Sequence, residues 1–504
     1  MVRWIELSNR IFNLPARTFL TGLIALWLIT HLPYMHLPAC GNHVWRQCNT
    51  LAVAKNYADE SMNLLEPRVD KRFDKSGITG PQFPAYEYVL ALIYKGIGFS
   101  EHWHRWLSFL LMALAIAGMY RLAEEYGANR AQAAVSASFL AFVPELFYHG
   151  INAVPDIAAL AAMLWGWIAG KRWLKLGNVS SAVVCSLALA LAGMIKMQFL
   201  VAGVPLLVEF VQQRNFSAKR VFTGLLMGAF AGICTFGWYA YAAFLVKQFG
   251  LHEFVHQMRH ARSIWEGLYI LLKNLFSDFP EIFTGYAMLP LILAGAYATV
   301  KFRRPPLHLF FYVLACTAFY FLVQYQFLHH GYYAIIFLPA LAIIAGKGYQ
   351  HLLNSSYKPI VLLIWFAPLW AWSRMALSNW SPENRRIPAE FQNAEQVKQM
   401  RKLSAGKRWI VGPDISGCVY FYYTGAKGFP WEDSTQKSEV FKSYIDRGAE
   451  GVITNRPDLL QNCSLLKCGF VYYKSGYQKC VCSGFQFTEI NRVGEFRFYR
   501  IDVK

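Results

Sequence analysis

His43, Trp45, Arg46 and Gln47 stand together in HLPYMHLPACGNHVWRQCNT, residues 31–50, directly behind an apolar run. One or two snorkelling side chains would suffice to end a membrane anchor. An imidazole, a guanidinium and an amide within five residues can do more: a fork-shaped Arg suits phosphate oxygens, and a His can carry a proton. The same segment continues with Asn49, Arg68, Asp70, Lys71, Arg72, Asp74 and Gln82, so residues 37–102 are rich in groups able to hold an anion or accept a proton. A second polar stretch, HEFVHQMRHAR, brings His252, His256, Arg259, His260 and Arg262. On a helix, His252, His256 and His260 would share a face at i, i+4, i+8. That spacing leaves a divalent metal open. Phosphate binding by His256, His260 and Arg262 is the preferred reading; contact with lipid headgroups is the plainer one.

Ionisable residues inside the apolar segments are few. Asp156 lies in GINAVPDIAAL, Lys196 in AGMIKMQFL, and His329, His330, Tyr332 and Tyr333 in FLHHGYYAIIFLP. Charge at membrane depth is costly, which makes function the default reading for Asp156 and Lys196. Each has a structural alternative: a helix cap after Pro155, a snorkelling Lys at a tight turn, and an aromatic belt for the tyrosines. All of them fall at the same edge of the membrane in the topology that follows.

The elements that must position these residues are apolar helices. Of 504 residues, 55% are hydrophobic and 16% charged, against about 25% charged in a soluble protein. Runs near the length needed to cross about 30 Å of hydrocarbon recur along the chain. About eleven spans are expected, near 18–36, 103–123, 131–148, 152–170, 180–195, 197–213, 220–246, 281–300, 306–328, 333–350 and 358–377. With the N-terminus inside, Lys and Arg gather on the inner loops, and the short turns near 149–151 and 329–332 carry none. This bias accounts for much of the net charge of +19 without nucleic acid, for which no motif is present. Residues 37–102, 247–280 and 379–504 then face outward. FPAYEYVLALIYKGIGF in the first loop reads as an interfacial helix. The tail alternates short strand-like runs (RWIVG, GVITN, GFVYYK, FRFYRI) with the helical TQKSEVFKSYIDRGAE, which predicts a small α/β domain. Seven of the ten cysteines lie in these outer segments, where an oxidising compartment favours disulfides, Cys40–Cys48 among them.

The order of these landmarks resembles the GT-C glycosyltransferases, and within them the bacterial family-39-like branch related to protein O-mannosyltransferases and the lipid A aminoarabinose transferase. HVWRQCNTLAVAKNY is similar to that branch's His-x-Trp-Arg-Gln-x-Asp-Thr run. LLEPRVD and GPQFPAYEYVLALIYKGIG resemble its Pro-x-x-Asp and Glu-Phe-Pro-x-Tyr stretches, and NAVPDIAAL, GMIKMQF and HHGYYAIIFLP its later landmarks. The resemblance covers about residues 15–380. It implies a mainly α polytopic membrane protein, with a transmembrane domain at 1–378 and a soluble periplasmic α/β domain at 379–504.

The resemblance further implies a bacterial inner-membrane enzyme, active at its periplasmic side, that transfers a sugar with inversion from a polyprenyl-phosphate donor to an envelope glycan, lipid or protein. Arg46, Gln47, Lys196, His256, His260, Arg262, His330, Tyr332 and Tyr333 would hold the donor's phosphate and lipid. Two positions depart from the family: Asn49 stands where Asp is usual and Gln82 where Glu is usual. They are left to support the acceptor or the loop. The base must then be Asp156, Asp70 (which the loop would present to solvent) or His43, unless the chain is an inactive homologue. Two other classes remain: a glycolipid flippase, against which the lack of repeats counts, and a non-catalytic envelope assembly factor.

Overall fold

The structure is a computed structural model. It describes all residues except 214–216, 252–259, 302–305, 380–388, 433–437, 462–468, 473–477, 483–484 and 504. The chain divides into two compact units: Met1–Pro38, Glu101–Tyr241 and His256–Ser381 form the first, and Ala39–Ser100, Ala242–Val255 and Pro382–Lys504 the second.

The first unit is helical. Five helices among the described residues are long and apolar enough to cross a membrane: Ala16–Tyr34, Trp103–Glu125, Ala218–Phe249, Gly331–Leu353 and Lys358–Asn379. The Ala218–Phe249 helix runs from the first unit into the second. Four further apolar helices, Val179–Ile195, Met197–Gln212, Leu289–Lys301 and Leu307–Leu322, are shorter. Two of the expected spans take another form. The one near 131–148 is cut into Arg130–Phe142 and Pro144–His149, because Pro144 cannot donate to the preceding turn and pushes Val143 into extended backbone. The one near 152–170 begins at Asp156 and runs to Leu176.

Within this unit Asp156–Leu176 packs on Val179–Ile195, and Leu338–Leu353 packs on both Leu289–Lys301 and Arg130–Phe142. Small residues allow the closest of these crossings. A methyl group on Gly348 would land on the carbonyl oxygen of Leu291, and one on Gly295 on that of Ile344.

The second unit holds seven strands: β1 Arg408–Val411, β2 Lys427–Pro430, β3 Gly451–Thr454, β4 Gly469–Tyr472, β5 Gln478–Cys482, β6 Phe485–Val493 and β7 Phe496–Val503. They form one sheet in the order β2-β1-β3-β7-β6-β5-β4. β1 pairs in parallel with β2 and β3, and the remaining pairs are antiparallel. The helical run expected in the tail is Ser438–Asp446. Its Phe441, Tyr444 and Ile445 join Ile410, Phe429, Val452 and Tyr499 in one buried core.

Residues 39–100 belong to this same unit and supply the helices Val44–Asp59 and Ala85–Ile97, which pack together. Val419–Thr424 of the tail packs on the first of them, and Tyr423 donates its hydroxyl to the carbonyl of Ala39.

The expected Cys40–Cys48 disulfide is not formed; both are buried thiols. The backbone at Cys40 is held instead by the side chain of Gln47, and neighbouring residues of a helix point about 100° apart.

Candidate functional site

The candidate residues fall into two groups, one in each unit. In the first unit, Asp156 opens its helix behind Pro155, and among the described residues neither of its carboxylate oxygens has a hydrogen-bond partner, so the capping role expected as the plain alternative is not filled. Its carboxylate is fully buried and lies 3.7 Å from the Nζ of Lys196, itself only 5% exposed. Lys196 ends the helix Val179–Ile195 in extended backbone and leads into a short 3-10 turn, which turns its ammonium inward. It sits 5.5 Å and 5.1 Å from the ring centres of Tyr332 and Tyr333, within cation–π range.

Tyr332 is buried, so it does not serve a lipid-facing belt. It stacks on His330 at 5.4 Å and meets His149 edge-on at 5.6 Å. The Nε2 of His149 is in turn 3.3 Å from Glu145. Gly331 lets the Glu145 carboxylate come close, since a Cβ there would stand 2.7 Å from one of its oxygens. Asp156, Lys196, His330, Tyr332 and Tyr333 are thus brought together, and Glu145 and His149 join them unforeseen. Their i, i+4 spacing behind Pro144 was the available signal.

Arg105 was also missed. It is wholly buried and donates to the carbonyls of Leu37 (2.6 Å) and Pro38 (2.7 Å) and to Asn152 Oδ1 (2.7 Å). It ties the end of the first span to the segment that leads into Asp156.

His260 and Arg262 are exposed in this unit. His260 is not helical, contrary to the expected His252–His256–His260 face: the helix starts later, at Ile264. Ser263 accepts from the amide of Glu266, whose carboxylate accepts from the amide of Arg262. This reciprocal cap, written Ser-x-x-Glu in the sequence, fixes the start. Arg262 lies 5.9 Å from the ring of Tyr325. His252 and His256 fall outside the described residues, and so the i, i+4 pair is not described. Among the described residues no three His, Cys, Asp or Glu side chains are grouped to hold a metal ion.

In the second unit the helix Val44–Asp59 carries Arg46, Gln47 and Asn49 in its first turns, all buried. His43 caps it in the left-handed region at φ 55°, an uncommon conformation for a side-chain-bearing residue. Gln47 donates to the carbonyls of Cys40 at 2.9 Å and Asn42 at 3.4 Å, so its amide group fastens the loop that precedes the helix. Gln82 is buried just before the helix Ala85–Ile97.

Asp70 is buried too, not open to solvent as expected. Its carboxylate accepts from Asn56 at 2.9 Å, and its carbonyl accepts from Gly428 of β2. These bonds draw the loop in between helix and sheet. Burial raises the pKa of Asp70, opposed by Arg72, the Asn56 bond, Lys55 and Arg401.

A buried carboxylate beside an ammonium, ringed by imidazole and phenol groups, can hold an oxyanion and take up a proton. Solved structures share the architecture that surrounds it. ArnT from Cupriavidus metallidurans, bound to undecaprenyl phosphate, matches with a TM-score of 0.60 at 13% identity, over 97% of this chain and 99% of that one. The oligosaccharyltransferase of Archaeoglobus fulgidus in its apo form matches at 0.59 and 11% identity, over 94% and 76%. The arabinofuranosyltransferase AftD from Mycobacteria matches at 0.58 and 12%, over 97% of this chain and 40% of that far longer one.

This is the GT-C fold. The sequence profile of the dolichyl-phosphate-mannose-protein mannosyltransferases matches residues 80–239, about a third of the chain. No curated protein matches by sequence. With this fold and five described helices long and apolar enough to cross a bilayer, the chain is a multi-pass membrane protein.

Proposed function

We propose that this GT-C chain is a glycosyltransferase of the bacterial inner membrane. It takes a sugar from a polyprenyl-phosphate carrier and passes it, with inversion, to a hydroxyl of a glycan, lipid or protein acceptor on the periplasmic side. The reading rests on the buried pairing of Asp156 with Lys196 beside His330, Tyr332 and Tyr333. It is supported by the likeness in fold to a protein bound to undecaprenyl phosphate and to the archaeal oligosaccharyltransferase AglB in complex with dolichol-phosphate, which matches with a TM-score of 0.53 at 10% identity.

The acceptor oxygen attacks the anomeric carbon as the bond from that carbon to the phosphate oxygen breaks. The phosphate leaves with the bonding pair, and the hydroxyl proton passes to a base. Lys196 is the cation for the departing phosphate, with Arg46, His260 and Arg262 as further candidates and Gln47 fastening the loop that leads into the helix of Arg46. Asp156 leads the candidates for the base and holds Lys196 in place, while Asp70 and His43 follow. Asn49 and Gln82 support the first loop, and residues 379–504 act as a periplasmic domain. Cationic side chains suffice for the leaving charge, so no redox cofactor is needed.

The test is transfer by the purified chain from radiolabelled undecaprenyl-phosphate sugars to envelope extracts, with mass analysis of glycans from a deletion strain. Sugar release that depends on Asp156 supports the reading. No transfer from any such donor, together with unchanged envelope glycans in the deletion strain, overturns it.

A further inference from the structure

A cleft of about 430 Å³ opens on the second unit, lined in part by Arg72, Lys55 and Arg401, the cations that act on Asp70. Small residues make up part of its lining, Ser404, Ala405, Gly406, Gly425 and Gly428, beside the ring of Phe73. Gly406 and Gly425 adopt φ +77° and +67°, a region that favours glycine. The cations of the lining are Lys55, Arg72, Lys75, Arg401, Lys407, Arg408 and Lys427. The one acidic side chain in the lining is Asp59.

Carboxylates do not balance this charge. Asp59 pairs with Lys55 at 2.6 Å, and Glu60 serves both Arg72 and Lys427. Lys75 reaches the carbonyl of Gly250, and Arg401 lies against the rings of Phe99 and Tyr422. Cations crowded at a partly desolvated site repel one another, and the stored repulsion is relieved when an anion enters. Burial above all, and then the neighbouring Lys55, lower the pKa of Lys427 to about 8, against the pull of Asp59. The volume lies within the range of small-ligand sites, and the small residues of the lining leave room for a sugar ring beside the cations.

We propose that this cleft anchors an oxyanion-bearing sugar of the acceptor, a phosphate or a uronate, and so selects anionic acceptors for the transfer proposed above. The identity of the ligand as acceptor rests on that transferase reading; the binding itself does not.

The full chain in detergent is titrated calorimetrically with tripolyphosphate, with trigalacturonate and with neutral maltotriose. Saturable binding of an anionic probe, weakened by salt and absent for maltotriose, is expected, and the better probe tells phosphate from uronate. The doubly reversed variant Lys75→Glu, Lys407→Glu, both at exposed positions, should bind at least tenfold more weakly and melt as the parent does. Arg401→Gln, milder in charge, should weaken binding by a smaller factor. No saturable binding of either anion at low salt, or equal binding by parent and both variants, overturns the proposal. Binding that persists in a chain without transferase activity overturns only the acceptor assignment.

Discussion

Asp156 and Lys196 define the sharpest residue-scale test, because each is buried and each is the other's counter-charge. Asp156→Asn keeps size and removes basicity. Turnover should fall by roughly a hundred- to ten-thousand-fold if it is the base, measured as labelled sugar released per minute with the melting temperature as the control for folding. Lys196→Met strands a buried carboxylate, which costs on the order of 3–5 kcal/mol. Pairing it with Asp156→Asn should restore much of that stability and none of the activity. Near-normal turnover in Asp156→Asn would pass the role to Asp70 or His43.

Asp70 adds a pH dependence. Its folded-state pKa lies above the ordinary value of 3.8, so the folded chain binds this proton more tightly than the unfolded one. The stability it lends is full below the ordinary value and is lost as pH rises through the raised one. Melting temperatures of the parent should therefore fall, relative to Asp70→Asn, as pH climbs from 4 toward neutrality. Parallel curves would refute the burial argument. That Asp70 and Asp156 were worth watching was legible in the sequence, since carboxylates near membrane edges have few structural excuses. That Glu145 and His149 join Asp156 was not, because the approach of Gly331 is a tertiary fact.

At the scale of elements, the sequence spoke through patterns it could complete locally. Apolar runs announced the long helices, and β-branched or aromatic runs announced β1, β3, β4 and β7. β2, with Gly428 and Pro430 inside it, reads as a turn; it survives because it is an edge strand, where Pro is tolerated. The helix starting after Ser263 is legible in its Ser-x-x-Glu cap, a shorter signal than the three-histidine rhythm upstream of it. Closely packed helices make a separate prediction. Gly348→Ala would drive a methyl group onto the carbonyl of Leu291, and the helices Leu289–Lys301 and Leu338–Leu353 would have to part. Overpacking of this kind typically costs about 1–3 kcal/mol. Thermal unfolding in detergent should show it, and an unchanged midpoint would mean that the crossing is looser than described.

For the whole molecule, the composition of the second unit constrains the membrane topology. Residues 39–100, 242–255 and 382–504 belong to one compact unit, so they must lie on one side of the membrane. The stretches between them therefore leave that side and return, each with an even number of crossings. The expected spans, six between residues 103 and 246 and four between 281 and 377, meet the condition, although other even counts would as well. The expected orientation puts basic loops inside: Lys171, Arg172 and Lys175 stand at one end of the Asp156–Leu176 helix, and Asp156 at the other. The second unit should then face outward. Cysteines introduced at Ser76 and Ser443, both exposed, should be labelled in intact cells by a thiol reagent that cannot cross the membrane, above the background of the parent. Labelling of both only after permeabilisation would invert the orientation and move the transfer site to the cytoplasmic face. Labelling of one but not the other would break the second unit apart, and with it the basic cleft that both of its segments build.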